Sequence, residues 1–217
     1  LHWRAPFLLF AVALPIAWLL WRDRAVWKAI ERRTPSLHKA SVPNAPEAFS
    51  RTVRRAAPVL AFGFLAMAFF FVLVLGGARL FERAPWGSET AAGALLSLSS
   101  VAAVLGALAY GRLSRVLNPF GVAAVCLALM SAAFLFLGGV PGAAQAAAAT
   151  FVCGLGVGLI IPNANAWMLG VAPAARRGAM LGLLTTTLFF GQFASPLLLR
   201  PFGLTAPGGL FETVGLL

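Results

Sequence analysis

Six long runs of apolar residues follow one another along the chain, and short polar or basic segments separate them. Each run is long enough to cross the hydrocarbon core of a bilayer, which is about 30 Å thick. Lipid offers the backbone no hydrogen-bond partner, so each run is predicted to be an α-helix. The pattern therefore predicts an all-α integral membrane protein with six transmembrane helices. The predicted helices are A (Arg4–Trp21), B (Pro58–Ala78), C (Ala91–Gly111), D (Pro119–Gly139), E (Ala143–Leu169) and F (Gly178–Leu199).

The composition agrees with a membrane protein. Hydrophobic residues make up 60% of the 217 residues, and the mean hydropathy is +0.89. Charged residues make up only 11% of the chain, whereas an average soluble domain contains about a quarter. Cys126 and Cys153 lie deep inside apolar runs, which favours small buried hydrophobic residues over a disulfide or a metal site. No cofactor and no metal are expected.

The positions of the basic residues predict how the helices are oriented. The formal net charge is +11, and nine of the 17 Lys and Arg residues fall in residues 22–56. Two more lie in each of the linkers 112–118 and 170–177, so the basic linkers occur at every second turn of the chain. The positive-inside rule therefore predicts that these three linkers are cytoplasmic. Nucleic-acid binding is not expected, because no aromatic residues are interleaved in a way that would stack bases.

The chain is predicted to have three parts. Residues 1–21 form a transmembrane helix, residues 22–57 form a basic cytoplasmic linker, and residues 58–217 form a bundle of transmembrane helices. Three prolines interrupt the linker, which favours a flexible connector, and contact with anionic lipid is the alternative. The chain starts at Leu1 and ends on what looks like another apolar segment, so it is expected to be a fragment.

Helix E contains residues that a simple membrane anchor does not need. Pro162 has no amide hydrogen to donate to the carbonyl of Gly158, which predicts a kink between these two residues. Gly154 and Gly158 form a G-x-x-x-G pattern, which lets a neighbouring helix approach closely. The stretch is therefore predicted to pack tightly and to bend.

Two amides and a tryptophan follow this proline. Asn163 and Trp167 are four residues apart and share one face of the helix, whereas Asn165 points to nearly the opposite side. An amide in hydrocarbon is costly unless it has a partner or water. Two interpretations stay open: these residues line a wet substrate cavity, or both amides bond to neighbouring helices.

Helix F carries two stripes of small and polar residues. Gln192 is its only amide and is the best single candidate for a residue that lines a substrate cavity. The second stripe is typical of close helix packing. The first stripe contains Gly182, Thr185, Phe189, Gln192 and Pro196, and the second contains Thr187, Gly191 and Ser195.

Catalytic chemistry has little support in the sequence. Enzymes need placed acids, bases or metals, and the six predicted spans contain no Asp, Glu, His or Lys. His2 and His38 are isolated in a terminus and in a linker. The protein is therefore not expected to be an enzyme.

Three segments resemble a known family, the major facilitator superfamily, and specifically its bacterial drug- and sugar-efflux-like permeases. "GALAYGRLSRVLNP", residues 106–119, is similar to the cytoplasmic motif between the eighth and ninth helices of that family. "VAPAARRGAMLGLLTTTLFFGQFASPLL", residues 171–198, resembles the connection from the tenth to the eleventh helix, and "WRAPFLLFAVALPIAWLL", residues 3–20, resembles the sixth helix. The usual acidic residue of the motif is absent, and Ser114 lies near its place. The residues that fit the motif are Gly106, Gly111, Arg112 and Arg115.

The resemblance implies that helices A–F are the sixth to eleventh of twelve. It implies a transporter built from two related halves, with the substrate bound near the midplane between them. It also implies that Arg112 and Arg115, like Arg176 and Arg177, hold the cytoplasmic ends against partner loops or lipid phosphate.

The expected function is proton-coupled efflux of small amphipathic compounds across a bacterial inner membrane. No carboxylate lies within the predicted spans, so the proton-binding group is expected in the missing N-terminal half. The expected partners are that half, membrane lipids, a small-molecule substrate and a proton gradient. Uptake of a metabolite is the first alternative, and a non-transporting membrane scaffold or binding protein is the second.

Overall fold

The structure, a computed structural model, describes residues 49–138 and 142–199. Within these residues it contains no β-strand, and five helical spans are long and apolar enough to cross a membrane. These spans correspond to the predicted helices B–F. Helix A and most of the predicted linker lie outside the described residues, so the sixth span stays a prediction. The helices are α1 (Phe49–Val72), α2 (Ala78–Arg83), α3 (Glu89–Leu113), α4 (Pro119–Leu137), α5 (Ala143–Val171) and α6 (Arg177–Leu199).

The first span begins earlier than the apolar pattern predicts. Helix α1 starts at Phe49, inside the predicted linker, and continues through Pro58. Thr52, Ala56 and Val59 are fully buried on one face of this segment. The contacts of this face hold the helix together across a proline that, in isolation, favours a break.

The same span also continues further at its other end. A π-helical turn, Leu73–Gly77, joins α1 to α2, which ends at Arg83, although the apolar pattern predicts an end at Ala78. Phe81 is fully buried in α2, and its ring packs against Trp86 with 6.4 Å between the ring centroids. This packing keeps the segment helical where the sequence predicts a loop.

Helix α5 lies at the centre of the described bundle. It contacts α1, α3, α4 and α6, and the contacts with α3 and α4 are the most extensive. The next most extensive contact is between α1 and α6. The core between these helices is apolar, and its largest fully buried side chains include Phe134, Leu137, Ile160, Met168 and Met180.

Side-chain caps fix where α3 and α4 begin. Ser88 Oγ accepts a hydrogen bond of 3.1 Å from the amide of Ala91, and Asn118 Oδ1 accepts one of 2.8 Å from the amide of Gly121. Pro119 is the first residue of α4, where a missing amide hydrogen costs nothing. These caps supply partners to amides that the first turn of a helix leaves unpaired.

The helix ends fall into two groups of different charge. Contacts place the start of α1 beside the turn before α6, and the start of α4 beside the last turns of α5. Seven of the nine arginines in the described residues lie at this end, which we call the basic end. Arg79, Arg83, Glu82 and Glu89 lie at the opposite end. This distribution has the form that the positive-inside rule requires.

Candidate functional site

Helices α3 and α5 meet backbone to backbone at three glycines. A Cβ atom added to Gly154 would collide with the carbonyl oxygen of Ser99, and one added to Gly158 would collide with that of Ala103. In the other direction, Gly106 of α3 lies against the main chain of α5. The G-x-x-x-G pattern of α5 therefore brings the two helices to a distance that only glycine permits.

This contact gives Gly158 a reason to be glycine that is independent of bending. Helix α5 is assigned as α-helix from Ala143 to Val171, on both sides of Pro162. The carbonyl of Gly158 is the one that loses a hydrogen bond, because Pro162 has no amide hydrogen. The same glycine lies against the main chain of α3. The kink at Pro162 stays a prediction.

A third glycine of α5, Gly156, faces α4. A Cβ atom on Gly156 would lie 2.9 Å from the carbonyl oxygen of Cys126 and 3.0 Å from Cγ of Met130. The Cys126 thiol donates a hydrogen bond of 3.2 Å to the carbonyl of Gly156. Cys126 and Cys153 are both free and fully buried, as the apolar sequence around them predicts.

Asn163 and Trp167 join three helices at the basic end. Asn163 is fully buried, and its Nδ2 donates a hydrogen bond of 3.0 Å to the carbonyl of Pro119 in α4. The ring of Trp167 meets that of Phe120 edge-on, with 4.3 Å between centroids, and Phe62 of α1 lies at 6.3 Å. The structure thus places both residues inside a contact between helices.

Asn165 lies in a more accessible place. It is half-buried, and exposed Ile161 and Leu169 precede and follow it by one turn on the same side of α5. Of the two asparagines in helix E, Asn165 is therefore the one that keeps access to a ligand or to another helix.

Helices α1 and α6 are also joined through glycines. Gly191 of α6 lies against the main chain of Phe64 in α1. Gly63 of α1 faces Leu188 and Leu184 of α6, and a Cβ atom there would lie 3.1 and 3.3 Å from their methyl groups. Gly191 thus packs against α1, as its place in a small-residue stripe indicates.

The other stripe of α6 is largely uncovered. Thr185, Phe189 and Pro196 are exposed, and no described atom lies within 4 Å of a Cβ added to Gly182. Gln192 is half-buried, and its Nε2 lies 3.5 Å from the sulfur of Met67 in α1. We call this stripe the α6 polar face; its members are Gly182, Thr185, Phe189, Gln192 and Pro196.

The motif residues at the end of α3 differ in their surroundings. Gly106 is buried against α5, whereas a Cβ atom on Gly111 would meet nothing within 4 Å. Arg112 and Arg115 are exposed, and Ser114 donates a hydrogen bond of 3.4 Å to the carbonyl of Gly111. Of the two motif glycines, the structure thus gives only Gly106 a packing contact within the described residues.

The arginines before α6 are also unlike each other. The guanidinium of Arg176 lies over the ring of Phe49, 5.6 Å from its centroid, and Arg176 is half-buried. Arg177 is exposed. A cation–π contact of this kind contributes about 0.5–1 kcal/mol at an exposed site. Arg176 therefore ties the turn Ala174–Arg176 to the start of α1.

Two features of the described residues were not predicted from the sequence. The first is the π-helical turn Leu73–Gly77, for which the adjacent glycines 76 and 77 were the available signal. The second is a set of buried polar atoms that have no hydrogen-bond partner within the described part of the chain. They are the hydroxyls of Thr52, Thr150 and Ser195 and Oδ1 of Asn163.

Comparison with known proteins identifies the family. The family model described as Major Facilitator Superfamily matches residues 1–196, which is most of the chain. No match was found among curated proteins or among solved structures. The match agrees with the apolar helical spans, and the chain belongs to the major facilitator superfamily of membrane transporters.

Proposed function

We propose that the protein exports small amphipathic compounds across a bacterial inner membrane in exchange for protons. Transport follows from the family; the direction, the coupling ion and the substrate class are the proposal. The observation that carries it is the α6 polar face, on which a hydroxyl, an amide and an aromatic ring lie along one side that the described helices leave largely uncovered.

Such a face suits an amphipathic substrate. Binding sites for small molecules are mostly apolar and have a few placed polar groups that fix orientation. The ring of Phe189, 55% exposed, supplies the apolar part, and Gln192 and Thr185 supply the polar part. Asn165 is a second polar candidate, because it is accessible from the side of α5. In this proposal Asn163 and Trp167 hold helices together and do not contact substrate.

Alternating access requires rigid parts and places that bend. The α3–α5 crossing, with backbone contacts at Gly154, Gly158 and Gly106, acts as a rigid part. In this proposal the π-helical turn Leu73–Gly77 is the place where the first span bends, since kinks concentrate at such turns. The described spans have carboxylates only near one end, at Glu82 and Glu89. The proton-binding group therefore lies outside the described residues in this proposal.

Two neighbouring threonines of α6 provide a matched test of the α6 polar face. The hydroxyls of Thr185 and Thr186 each donate a 3.0 Å hydrogen bond to a carbonyl one turn earlier, and both residues are exposed. They differ by about 100° around the helix. Thr185→Val is expected to raise the KM for transport about fivefold or more, and Thr186→Val is expected to leave it within twofold. Equal effects of the two substitutions would contradict this placement of the substrate.

Proton coupling is tested in proteoliposomes of the complete protein. Addition of a transported cationic dye is expected to drive proton movement in the opposite direction, and a protonophore is expected to abolish accumulation of the dye. Dye transport that persists unchanged with a protonophore would exclude the proposed coupling. Accumulation of dye against the predicted direction would favour uptake.

A further inference from the structure

One exposed face of α1 combines arginines with a strip of apolar residues. Arg51 and Arg54 are exposed in the first two turns, and Pro58, Ala61 and Leu65 follow them on the same side of the helix, at steps of three or four residues. All five side chains are exposed, and Leu65 is 43% exposed. The buried residues of this segment, such as Thr52, lie on another side.

Among the described residues, no acidic side chain compensates the charge of this face. Glu82 and Glu89, the only acidic residues among residues 49–138 and 142–199, both lie at the opposite end of the bundle. Arg51 and Arg54 also lie near the positive end of the α1 dipole, which is unfavourable for cations. An anion beside these two arginines would therefore lower the electrostatic energy of this end.

The apolar strip indicates what kind of anion fits. From Arg54 to Leu65 the helix rises by about 16 Å, which is about half the thickness of the hydrocarbon core. Pro58 and Ala61 leave a shallow surface between the arginines and Leu65. An acyl chain that runs along this surface would place its phosphate at the level of Arg54.

We propose that Arg51 and Arg54 bind the headgroup of an anionic phospholipid, whose acyl chain lies along Pro58, Ala61 and Leu65. The charge of the two arginines matches the phosphate, and the apolar strip matches the chain beneath it. Arginines that face an anionic leaflet are attracted to it, and the attraction falls with salt. This lipid site is independent of the direction of transport and of the transported substrate.

Native mass spectrometry of the purified protein tests the proposal directly. The protein is mixed with equal amounts of phosphatidylglycerol and phosphatidylcholine, and bound lipid is counted for the wild type, for Arg51→Gln/Arg54→Gln and for Arg79→Gln. Arg51→Gln/Arg54→Gln removes the site. Arg79→Gln removes an exposed arginine at the opposite end of the bundle and serves as the control.

The wild type is expected to retain phosphatidylglycerol in preference to phosphatidylcholine. Arg51→Gln/Arg54→Gln is expected to weaken phosphatidylglycerol binding about 30-fold at low salt, and Arg79→Gln is expected to weaken it by less than threefold. Arg51→Lys/Arg54→Lys is expected to retain binding within about threefold, because a lysine also attracts a phosphate.

Three results would overturn the assignment. Equal retention of the two lipids by the wild type would remove the role of charge. An equal loss in Arg51→Gln/Arg54→Gln and in Arg79→Gln would show general attraction to exposed arginines instead of a site on this face. Unchanged binding after Arg51→Gln/Arg54→Gln would indicate that another occupant, such as a further helix of the protein, covers this side of α1.

A second substitution tests the acyl-chain part separately. Ala61→Phe fills the shallow surface without changing charge, and is expected to weaken binding of phosphatidylglycerol about fivefold or more. The same change at Ala94, an exposed alanine of α3, is expected to have no effect on binding. Equal binding by Ala61→Phe and the wild type would contradict the proposed path of the acyl chain.

Discussion

The helix pairs α3–α5 and α1–α6 both depend on glycines, but the glycines face different kinds of atoms. In α3–α5, Gly154, Gly158 and Gly106 all lie against main-chain atoms of the partner helix. In α1–α6, Gly191 lies against main-chain atoms, whereas Gly63 faces only leucine side chains. In the first pair, glycines of both helices therefore lie against the main chain of the partner. In the second pair, only the glycine of α6 does.

This difference determines how each pair responds to an added methyl group. A leucine side chain moves by a few tenths of an ångström through small rotations, so it accommodates a new neighbour. A carbonyl oxygen moves only if its helix moves, and the interior of the bundle resists such a shift. Glycines in similarly apolar helices therefore contribute very differently to stability, according to the atoms that they face.

The largest effect is expected at Gly158. A methyl group there would collide with the carbonyl of Ala103 and approach the amide nitrogen of Ala107 to 2.8 Å, so α3 has to move. Gly158→Ala is expected to cost about 2 kcal/mol or more, which lowers the midpoint of thermal unfolding in detergent by about 5 °C. A thiol-reactive dye measures this midpoint, because Cys126 and Cys153 are fully buried in the folded protein.

The control for this experiment is a glycine on the same helix pair that faces nothing. No described atom lies within 4 Å of a Cβ on Gly93 in α3. Gly93→Ala is expected to leave the midpoint unchanged or to raise it slightly, because alanine favours the helix by up to about 1 kcal/mol. If Gly158→Ala behaved like Gly93→Ala, the close approach of α3 and α5 would be wrong.

A smaller loss is expected at Gly191. A methyl group there meets the main chain of Phe64. However, α6 has less extensive contact with α5 than α3 has, so α6 has more freedom to shift. Gly191→Ala is expected to cost about 1 kcal/mol, measured with the same dye. Gly178→Ala, on an open position of the same helix, is the control and is expected to have no cost. A cost at Gly191 larger than that at Gly158 would reverse the order of the two helix pairs.

The sequence predicted some of these contacts and not others, for identifiable reasons. The spacing of Gly154 and Gly158 was sufficient to predict close packing, because small residues four apart form a flat strip on any helix. Which helix packs against that strip, and the pairing of Gly63 with Leu188, depend on the register between helices. This register cannot be predicted from a local sequence pattern.

The polar residues show the same limit. The sequence identified Asn163 and Asn165 as equal candidates for a cavity, because both are amides in an apolar helix. Only the tertiary contacts separate them: Asn163 donates to Pro119, and Asn165 stays half-buried. The start of α1 at Phe49 was missed for a related reason, since the packing of Thr52 and its neighbours overrides the local signal of Pro58.

The smallest effect is expected at Gly63, which faces leucine side chains instead of main-chain atoms. Gly63→Ala places a methyl group 3.1 Å from Cδ2 of Leu188, and that side chain is free to move slightly. The expected change is within about 0.5 kcal/mol of the wild type, because strain and helix preference offset each other. Shortening the partner with Leu188→Val alone leaves a void, so the double variant is expected to be more stable than the sum of the two single changes predicts. Additive single effects would show that Gly63 and Leu188 are not in contact. No shortened side chain can relieve Gly158→Ala in the same way, because the atoms that it meets belong to the main chain.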